Sequence, residues 1–144
     1  MTDNTTLNVK YIETTKIKPY ERNARIHVDN HIDEIVTSIN TFKFTNPLLI
    51  DENYIILAGH GRWLAAKKLN LEKVPCIQID YLNEAQKKAY RIADNKLTIN
   101  GALDDNLLGL EFKDLSELNL DFNLDVTGFS IPEIDFTIFF YVSM

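Results

Sequence analysis

The chain has 144 residues, 45% of them hydrophobic and 25% charged, a composition typical of a soluble globular domain. It contains no apolar run near the roughly 20 residues that a membrane-spanning helix needs, and its polar N-terminus does not resemble a signal peptide. Its single cysteine, Cys76, excludes an internal disulfide and a cysteine metal cluster. These features predict a cytoplasmic protein that does not contact membranes.

The net charge of −6 is distributed unevenly along the chain. Residues 1–100 carry a balance of about +2, whereas residues 101–144 hold Lys113 against nine acidic residues, a balance of −8. Because such an acidic end repels a phosphate backbone, the composition does not indicate a strongly basic nucleic-acid binder. The break predicts three segments, which are a core over 1–100, an acidic helical extension over 101–130 and an apolar tail over 131–144.

The first predicted element is a short strand over residues 9–12, where polar and apolar side chains alternate. Asp29 can cap the helix that follows, because apolar residues recur after it at helical spacing. The apolar runs 47–50 and 54–57 flank the polar stretch Asp51-Glu52-Asn53 and predict a β-hairpin.

After the hairpin, the pattern predicts a helix over residues 62–70 and a strand over 74–79. Pro75 indicates that this strand begins at an edge of the sheet, since proline cannot donate a ladder hydrogen bond. A long helix is expected over residues 84–97, with Lys87-Lys88 on its solvent-exposed face.

Polar residues mark the starts of the last helices. Asn83 and Gln86 have the spacing of a capping box for the long helix, and Asp104 can cap a shorter one. Residues 136–142 are aromatic and uncharged, the composition of an aggregation-prone strand. The elements together predict an α/β (α+β) fold, with a small mixed sheet, packed helices and a short helical C-terminal extension.

The stretch from Gly59 to Arg62 joins an apolar, strand-like run to a helix. Glycine permits a tight turn there, the helix start offers free N–H groups, and Arg62 adds forked donors suited to phosphate. One interpretation is an anion site, and the other is a glycine turn with a surface arginine. His60 is either a donor or general acid/base at such a site, or a side chain that fills space.

Four segments, 18–25, 44–50, 59–62 and 92–96, occur in an order that resembles the ParB/sulfiredoxin superfamily. The resemblance covers about residues 8–130. It is strongest to ParB-like domains of phages and mobile elements, which often precede an amino-DNA methyltransferase.

The resemblance implies a nucleotide site, with CTP or ATP and Mg²⁺ as the cofactors. The glycine turn would hold the phosphates, the segment from Asn23 to Arg25 would border the nucleotide, and Thr45 with Asn46 would face the base. Asp94 would reach Mg²⁺ through the nucleotide, and it is, with His60, a candidate for catalysis. The nucleotide-binding residues that the resemblance implies are Asn23, Arg25, Thr45, Asn46, Gly59, His60, Gly61, Arg62, Asp94 and Asn95.

The chain also departs from the superfamily's patterns. ParB proteins commonly have Gly-Glu-Arg-Arg where this chain has Gly59-His60-Gly61-Arg62, so one acid and one arginine are missing. The turn lacks the reactive cysteine of sulfiredoxin, and Cys76 lies in an apolar strand pattern, which excludes sulfiredoxin chemistry. Too few residues follow Leu97 for the helix-turn-helix domain of ParB, and a methyltransferase motif is absent.

The leading hypothesis is a nucleotide-binding ParB-like accessory module associated with DNA modification or mobile-element DNA. Its expected partners are a nucleotide and, indirectly, DNA or a DNA-bound methyltransferase, and homodimer formation stays open. Two alternatives remain. One is an enzyme of the same superfamily, such as a nucleotide hydrolase, a nuclease or a small-molecule kinase. The other is an inactive fragment of a ParB–methyltransferase fusion, with the tail as a truncation remnant.

Overall fold

The computed structural model describes residues 6–22, 29–100 and 104–143, and it divides the chain into two compact units, Met1–Ile99 and Asn100–Met144. The strands are β1 Val9–Glu13, β2 Leu48–Ile50, β3 Ile56–Ala58 and β4 Lys73–Gln78. The α-helices are α1 Asp29–Phe42, α2 His60–Lys68, α3 Glu84–Asn100, α4 Asp105–Ser116 and α5 Ile131–Val142. No helix in these described ranges is both long and apolar enough to cross a bilayer.

The four strands described in the first unit form one mixed sheet in the order β1-β4-β2-β3. β4 pairs antiparallel with β1 and parallel with β2, and β2 pairs antiparallel with β3. The α+β class and the small mixed sheet are therefore confirmed. The core side chains that pack together are Ile17, Leu48, Ile50, Ile56, Trp63, Ala66, Val74 and Cys76.

The β2–β3 hairpin is confirmed, and Asp51 organises its turn. Asp51 Oδ1 accepts hydrogen bonds from the backbone N–H groups of Asn53 at 2.8 Å and Ile55 at 2.9 Å. These bonds fold the chain back within four residues and accompany a left-handed Tyr54, whose φ is 65°. The turn therefore depends on a short side chain that can bond to its own backbone.

β4 lies between β1 and β2 over its second half, but the strand begins at an edge of the sheet, as Pro75 predicts. Pro75 is paired with Tyr11 of β1, whereas the register with β2 starts only at Cys76. The proline thus occupies the part of an interior strand that has a neighbour on one side, where its missing N–H is tolerated.

Two predicted helix caps are confirmed. The backbone N–H of Asn83 donates to Gln86 Oε1 at 2.9 Å, and that of Gln86 donates to Asn83 Oδ1 at 2.8 Å, which is a reciprocal capping box. Asp104 Oδ1 accepts from the backbone N–H groups of Asn106 and Leu107 at the start of α4. Both motifs act over three residues, so local sequence is sufficient to specify them.

In the second unit, the strand-like interpretation of residues 136–142 is wrong, because they lie in the helix α5. Ser130 caps α5 in a capping box with Glu133, and this signal outweighs the strand-forming composition. α4 packs closely against α5 at Gly109, where a Cβ atom would lie 2.7 Å from the backbone oxygen of Thr137. Phe112 and Ile134 are buried in this unit.

Candidate functional site

The turn before α2 leaves no room for a side chain at its first residue, Gly59. Gly59 is the N-cap of α2, in the left-handed conformation with φ 100° and ψ 23°. A Cβ atom on it would lie 2.7 Å from Leu48 Cδ2 and 2.8 Å from Arg62 Nη2, closer than real contacts allow. Gly61, in contrast, lies inside α2, so only the first of the two glycines makes the turn.

Arg62 connects this turn to the loop before β2. Its Nη2 donates a hydrogen bond to the carbonyl oxygen of Pro47 at 3.1 Å, and the residue is half-buried. Thr45 and Asn46, which immediately precede Pro47, have exposed side chains. Because the guanidinium has five donors in a planar fork, an arginine held in this way presents a fixed positive charge at the start of α2.

One face of α3 lies within electrostatic range of Arg62. Burial and the negative charge of Asp94 raise the pKa of the Tyr90 phenol, whereas the positive charge of Arg62 opposes this shift. Tyr90 and Asp94 are four residues apart and therefore share one side of α3. The fold thus brings Asp94 and Arg62 to the surroundings of one tyrosine, although 32 positions separate them in the sequence.

His60 is half-buried beside an aromatic ring. Its ring centroid lies 5.8 Å from that of Trp63, and Lys67 Nζ lies 4.4 Å above the Trp63 ring. Burial, followed by the positive charge of Lys67, lowers the pKa of His60 below its usual value. The imidazole is therefore neutral at pH 7 and offers hydrogen bonds to a ligand without adding charge.

Of the remaining predicted site residues, the structure describes Asn95. Asn95 lies half-buried on α3, next to Asp94, and Asn23 and Arg25 lie outside the described residues. Among the residues that the structure describes, no three His, Cys, Asp or Glu side chains are grouped to hold a metal ion. Asp94 suits the other mode of Mg²⁺ binding, in which one carboxylate joins waters and substrate phosphates.

Cys76 is fully buried in β4, and burial raises the pKa of its thiol to about 11. A thiol with so little thiolate at neutral pH is a poor nucleophile. The interpretation of Cys76 as an inert core residue agrees with this environment.

The placement of Lys87 on the exposed face of its helix is wrong. The side chain is 1% exposed, and its Nζ lies 3.1 Å from Asp51 Oδ2, 2.5 Å from Glu52 Oε1 and 3.2 Å from Glu84 Oε1. Its partner Glu52 on the hairpin lies 35 residues away in the sequence, so no local pattern indicates this burial.

Fold and site together describe an α+β domain of the ParB/sulfiredoxin type, in which the arginine at a helix start and a carboxylate on a second helix act on the same tyrosine. The sequence model of the ParB N-terminal domain matches residues 1–96, two thirds of the chain. The chain belongs to the ParB N-terminal domain family. The model of the ParB-methyltransferase HTH domain matches residues 106–139.

The second match corrects the expectation that no helix-turn-helix domain fits after Leu97. It covers most of α4 and α5, which form a compact helical unit shorter than the expected domain. Residues 131–139 of the apolar tail lie within the match.

Similar proteins include the "ParB-like nuclease domain-containing protein YnaK" of Escherichia coli K12. It is 42% identical over 82 residues, which are 57% of this chain and 94% of the relative. The "Probable chromosome-partitioning protein ParB" of Rickettsia typhi is 37% identical over 70 residues, and the match spans 48% of this chain and 24% of that protein.

Among solved structures, the C-terminally truncated chromosome-partitioning protein ParB from Caulobacter crescentus, complexed with CTP-γ-S, has a similar fold. The TM-score is 0.77 with 20% sequence identity, over 91% of this chain and 77% of that one. At this identity, the similarity establishes the fold alone.

Proposed function

We propose that this chain is a nucleotide-binding ParB-like module that acts as an accessory to DNA modification. The observation that carries the proposal is the pairing of a left-handed Gly59, at the N-terminus of α2, with an arginine held three residues later. A helix N-terminus and a guanidinium both attract phosphate, and the glycine lets the backbone approach it closely.

The other residues around the turn suit a triphosphate. Neutral His60 can donate or accept a hydrogen bond at the helix start, and Asp94 can supply a carboxylate to a phosphate-bound Mg²⁺. Thr45 and Asn46 are exposed next to the Pro47 carbonyl that Arg62 contacts, so a base can reach them. CTP is the first candidate, because the Caulobacter protein of similar fold is complexed with CTP-γ-S.

The link to DNA modification rests on the second unit. Residues 106–139 match the ParB-methyltransferase HTH domain, yet residues 101–144 carry one lysine and nine acids. Protein–DNA affinity depends on cations that neutralise phosphates. We therefore expect the unit to reach DNA through a methyltransferase partner rather than by its own contacts.

Isothermal titration calorimetry with CTP, ATP and GTP, each with and without Mg²⁺, tests nucleotide binding. Arg62→Ala should weaken binding about 10- to 150-fold, because a hydrogen bond to a charged group contributes about 1.5–3 kcal/mol. Lys88→Ala is the matched control, since this exposed lysine on α3 also loses one positive charge and should bind as the wild type does.

Thermal melting gives an independent measurement, because a ligand at about 100 times its Kd stabilises the folded state by about 2.7 kcal/mol. If no nucleotide binds or shifts the melting temperature at millimolar concentration, the proposal is wrong. Steady release of inorganic phosphate that Asp94→Ala abolishes would instead indicate a hydrolase.

A further inference from the structure

Helix α3 is attached to the hairpin by a buried cation. Lys87 Nζ contacts the carboxylates of Asp51 and Glu52, at the turn between β2 and β3, and that of Glu84 on its own helix. The lysine is 1% exposed and Asp51 is 2% exposed, so this ion pair is shielded from water and from salt. The contacts hold the first turn of α3 at one place on the hairpin.

The same ion pair explains the charge states of its members. The hydrogen bond from Lys87 to Glu52 raises the pKa of the lysine above its usual value. Burial alone would raise the pKa of Asp51, but the hydrogen bonds from the Ile55 backbone and from Lys87 outweigh burial and lower it. Lys87 and Asp51 therefore both stay ionised at neutral pH.

Arg91 makes a second attachment one helical turn later. Its Nε donates to the carbonyl oxygen of Ile56 in β3 at 3.1 Å, and its guanidinium lies 3.7 Å from the centre of the Tyr20 ring. Tyr20 lies near the end of the described segment 6–22, shortly before Asn23 and Arg25. Arg91 therefore joins α3 both to the edge strand and to the segment that leads to these two residues.

Lys87, Arg91 and Asp94 lie on one side of α3, because positions i, i+4 and i+7 of a helix share a face. Two attachments, one turn apart, set both the position and the rotation of the helix. The rotation decides whether Asp94 points towards the surroundings of Arg62, where its charge acts on Tyr90.

The geometry points to Lys87 and Arg91 as positioning residues of the nucleotide site, which hold Asp94 opposite the Gly59–Arg62 turn. This inference rests on the proposed function. Neither residue needs to touch the ligand, so each acts through Asp94. Replacing a residue that orients a binding side chain without touching the ligand typically changes the affinity of the site about 10- to 100-fold.

A distance measurement without nucleotide tests the positioning itself. Nitroxides at Ile92→Cys on α3 and Glu72→Cys before β4 occupy exposed positions, whereas Cys76 is buried and stays unlabelled. The protein without further substitutions and its Lys88→Gln variant should give the same narrow distance distribution by double electron–electron resonance. Lys87→Gln should broaden it, and an unchanged distribution overturns the proposal.

The second arm measures the Kd for CTP by calorimetry, at a temperature where every variant is folded. Lys87→Gln should bind about tenfold more weakly or worse, and Lys88→Gln as the wild type. Arg91→Lys keeps the charge but loses the guanidinium that lies over the Tyr20 ring, so it should also weaken CTP binding and tests the idea even if Lys87→Gln fails to fold.

A double variant separates positioning from a general loss of stability. If Lys87 acts through Asp94, adding Lys87→Gln to Asp94→Ala should leave the Kd within about twofold of that of Asp94→Ala alone. Additive effects, or a Lys87→Gln variant with lower melting temperature but unchanged Kd, overturn the positioning role. If the wild type binds no nucleotide, the proposed function fails, while the distance measurement still decides whether Lys87 positions α3.

Discussion

Replacing Gly59 with alanine should destabilise the first unit through two separate effects. The left-handed φ of 100° is unfavourable for any residue with a Cβ, and costs alanine about 1–2 kcal/mol. The new Cβ would also lie 2.7 Å from Leu48 Cδ2, and the Leu48 side chain has little space to move because the residue is fully buried. Overpacking of this kind typically costs about 1–3 kcal/mol.

The two effects together give a loss of about 2–5 kcal/mol in the free energy of unfolding. For a unit of about 100 residues, each kcal/mol lowers the melting temperature by roughly 4–8 °C, so we expect a decrease of at least about 8 °C. Because Arg62 Nη2 lies 2.8 Å from the same Cβ position, the variant should also displace the guanidinium and weaken nucleotide binding.

Urea unfolding followed by tryptophan fluorescence measures this effect in the first unit alone, because Trp63 is the single tryptophan of the chain and lies in its core. Gly59→Asn separates the two effects, since asparagine tolerates the left-handed region but brings the same Cβ. It should be less destabilised than Gly59→Ala and still less stable than the wild type.

Gly128 provides a matched control in the second unit, whose unfolding is followed by circular dichroism because Trp63 lies in the first unit. Its φ is 87°, but nothing lies within 4 Å of the Cβ position, so alanine there should show only the backbone cost of about 1–2 kcal/mol. A Gly59→Ala protein that unfolds within about 0.5 kcal/mol of the wild type would refute the steric argument. So would equal losses in Gly59→Ala and Gly128→Ala, because the two would then share a backbone origin.

Two further predictions follow from side chains whose pKa values are shifted. At pH 8, Cys76 should react with a disulfide reagent about 100-fold more slowly in the folded than in the urea-unfolded protein. The reason is that a thiol pKa of about 11 instead of 9.0 leaves about a hundredth of the thiolate. Equal rates in the two states would show that the thiol is accessible in the folded protein. Folding lowers the pKa of His60, so the unfolded state binds more protons below pH 6.5, and the free energy of unfolding should fall as the pH decreases through this range. Urea titrations at pH 7.5 and 5.5 should show a smaller fall for His60→Gln, and an identical fall would contradict the burial of the imidazole.

Features that depend on neighbours in the chain were predictable from sequence. The capping box of Asn83 and Gln86, the Asp104 cap and the Asp51 turn each join groups within four residues. The resemblance to the ParB/sulfiredoxin superfamily, read from four short segments, correctly indicated the family and the mixed sheet. The start of helix α5 is also encoded locally, by the Ser130–Glu133 capping box, although the aromatic composition of the helix is typical of a strand.

Other features depend on residues far apart in the sequence. The interior position of β4 follows from which strand pairs on each side, and Pro75 alone cannot reveal that β2 begins to pair one residue later. Likewise, Lys87 and Lys88 look equivalent in the sequence, yet Lys87 is buried and bonds to Glu52, which lies 35 residues away, whereas Lys88 is exposed. Burial is a property of the whole helix–hairpin contact, so residue type does not decide it.

The sequence by itself determined the local chemistry of the candidate site, which is a glycine, an arginine and a helix start within four residues. The backbone freedom of the glycine and the positive end of the helix arise from steric and electrostatic effects that act over a few bonds. Only the tertiary structure decided what surrounds that turn. It places Arg62 on the Pro47 carbonyl, and the attachments of Lys87 and Arg91 bring the Asp94 face of α3 near the turn, because packing and buried ion pairs join segments that the chain keeps apart.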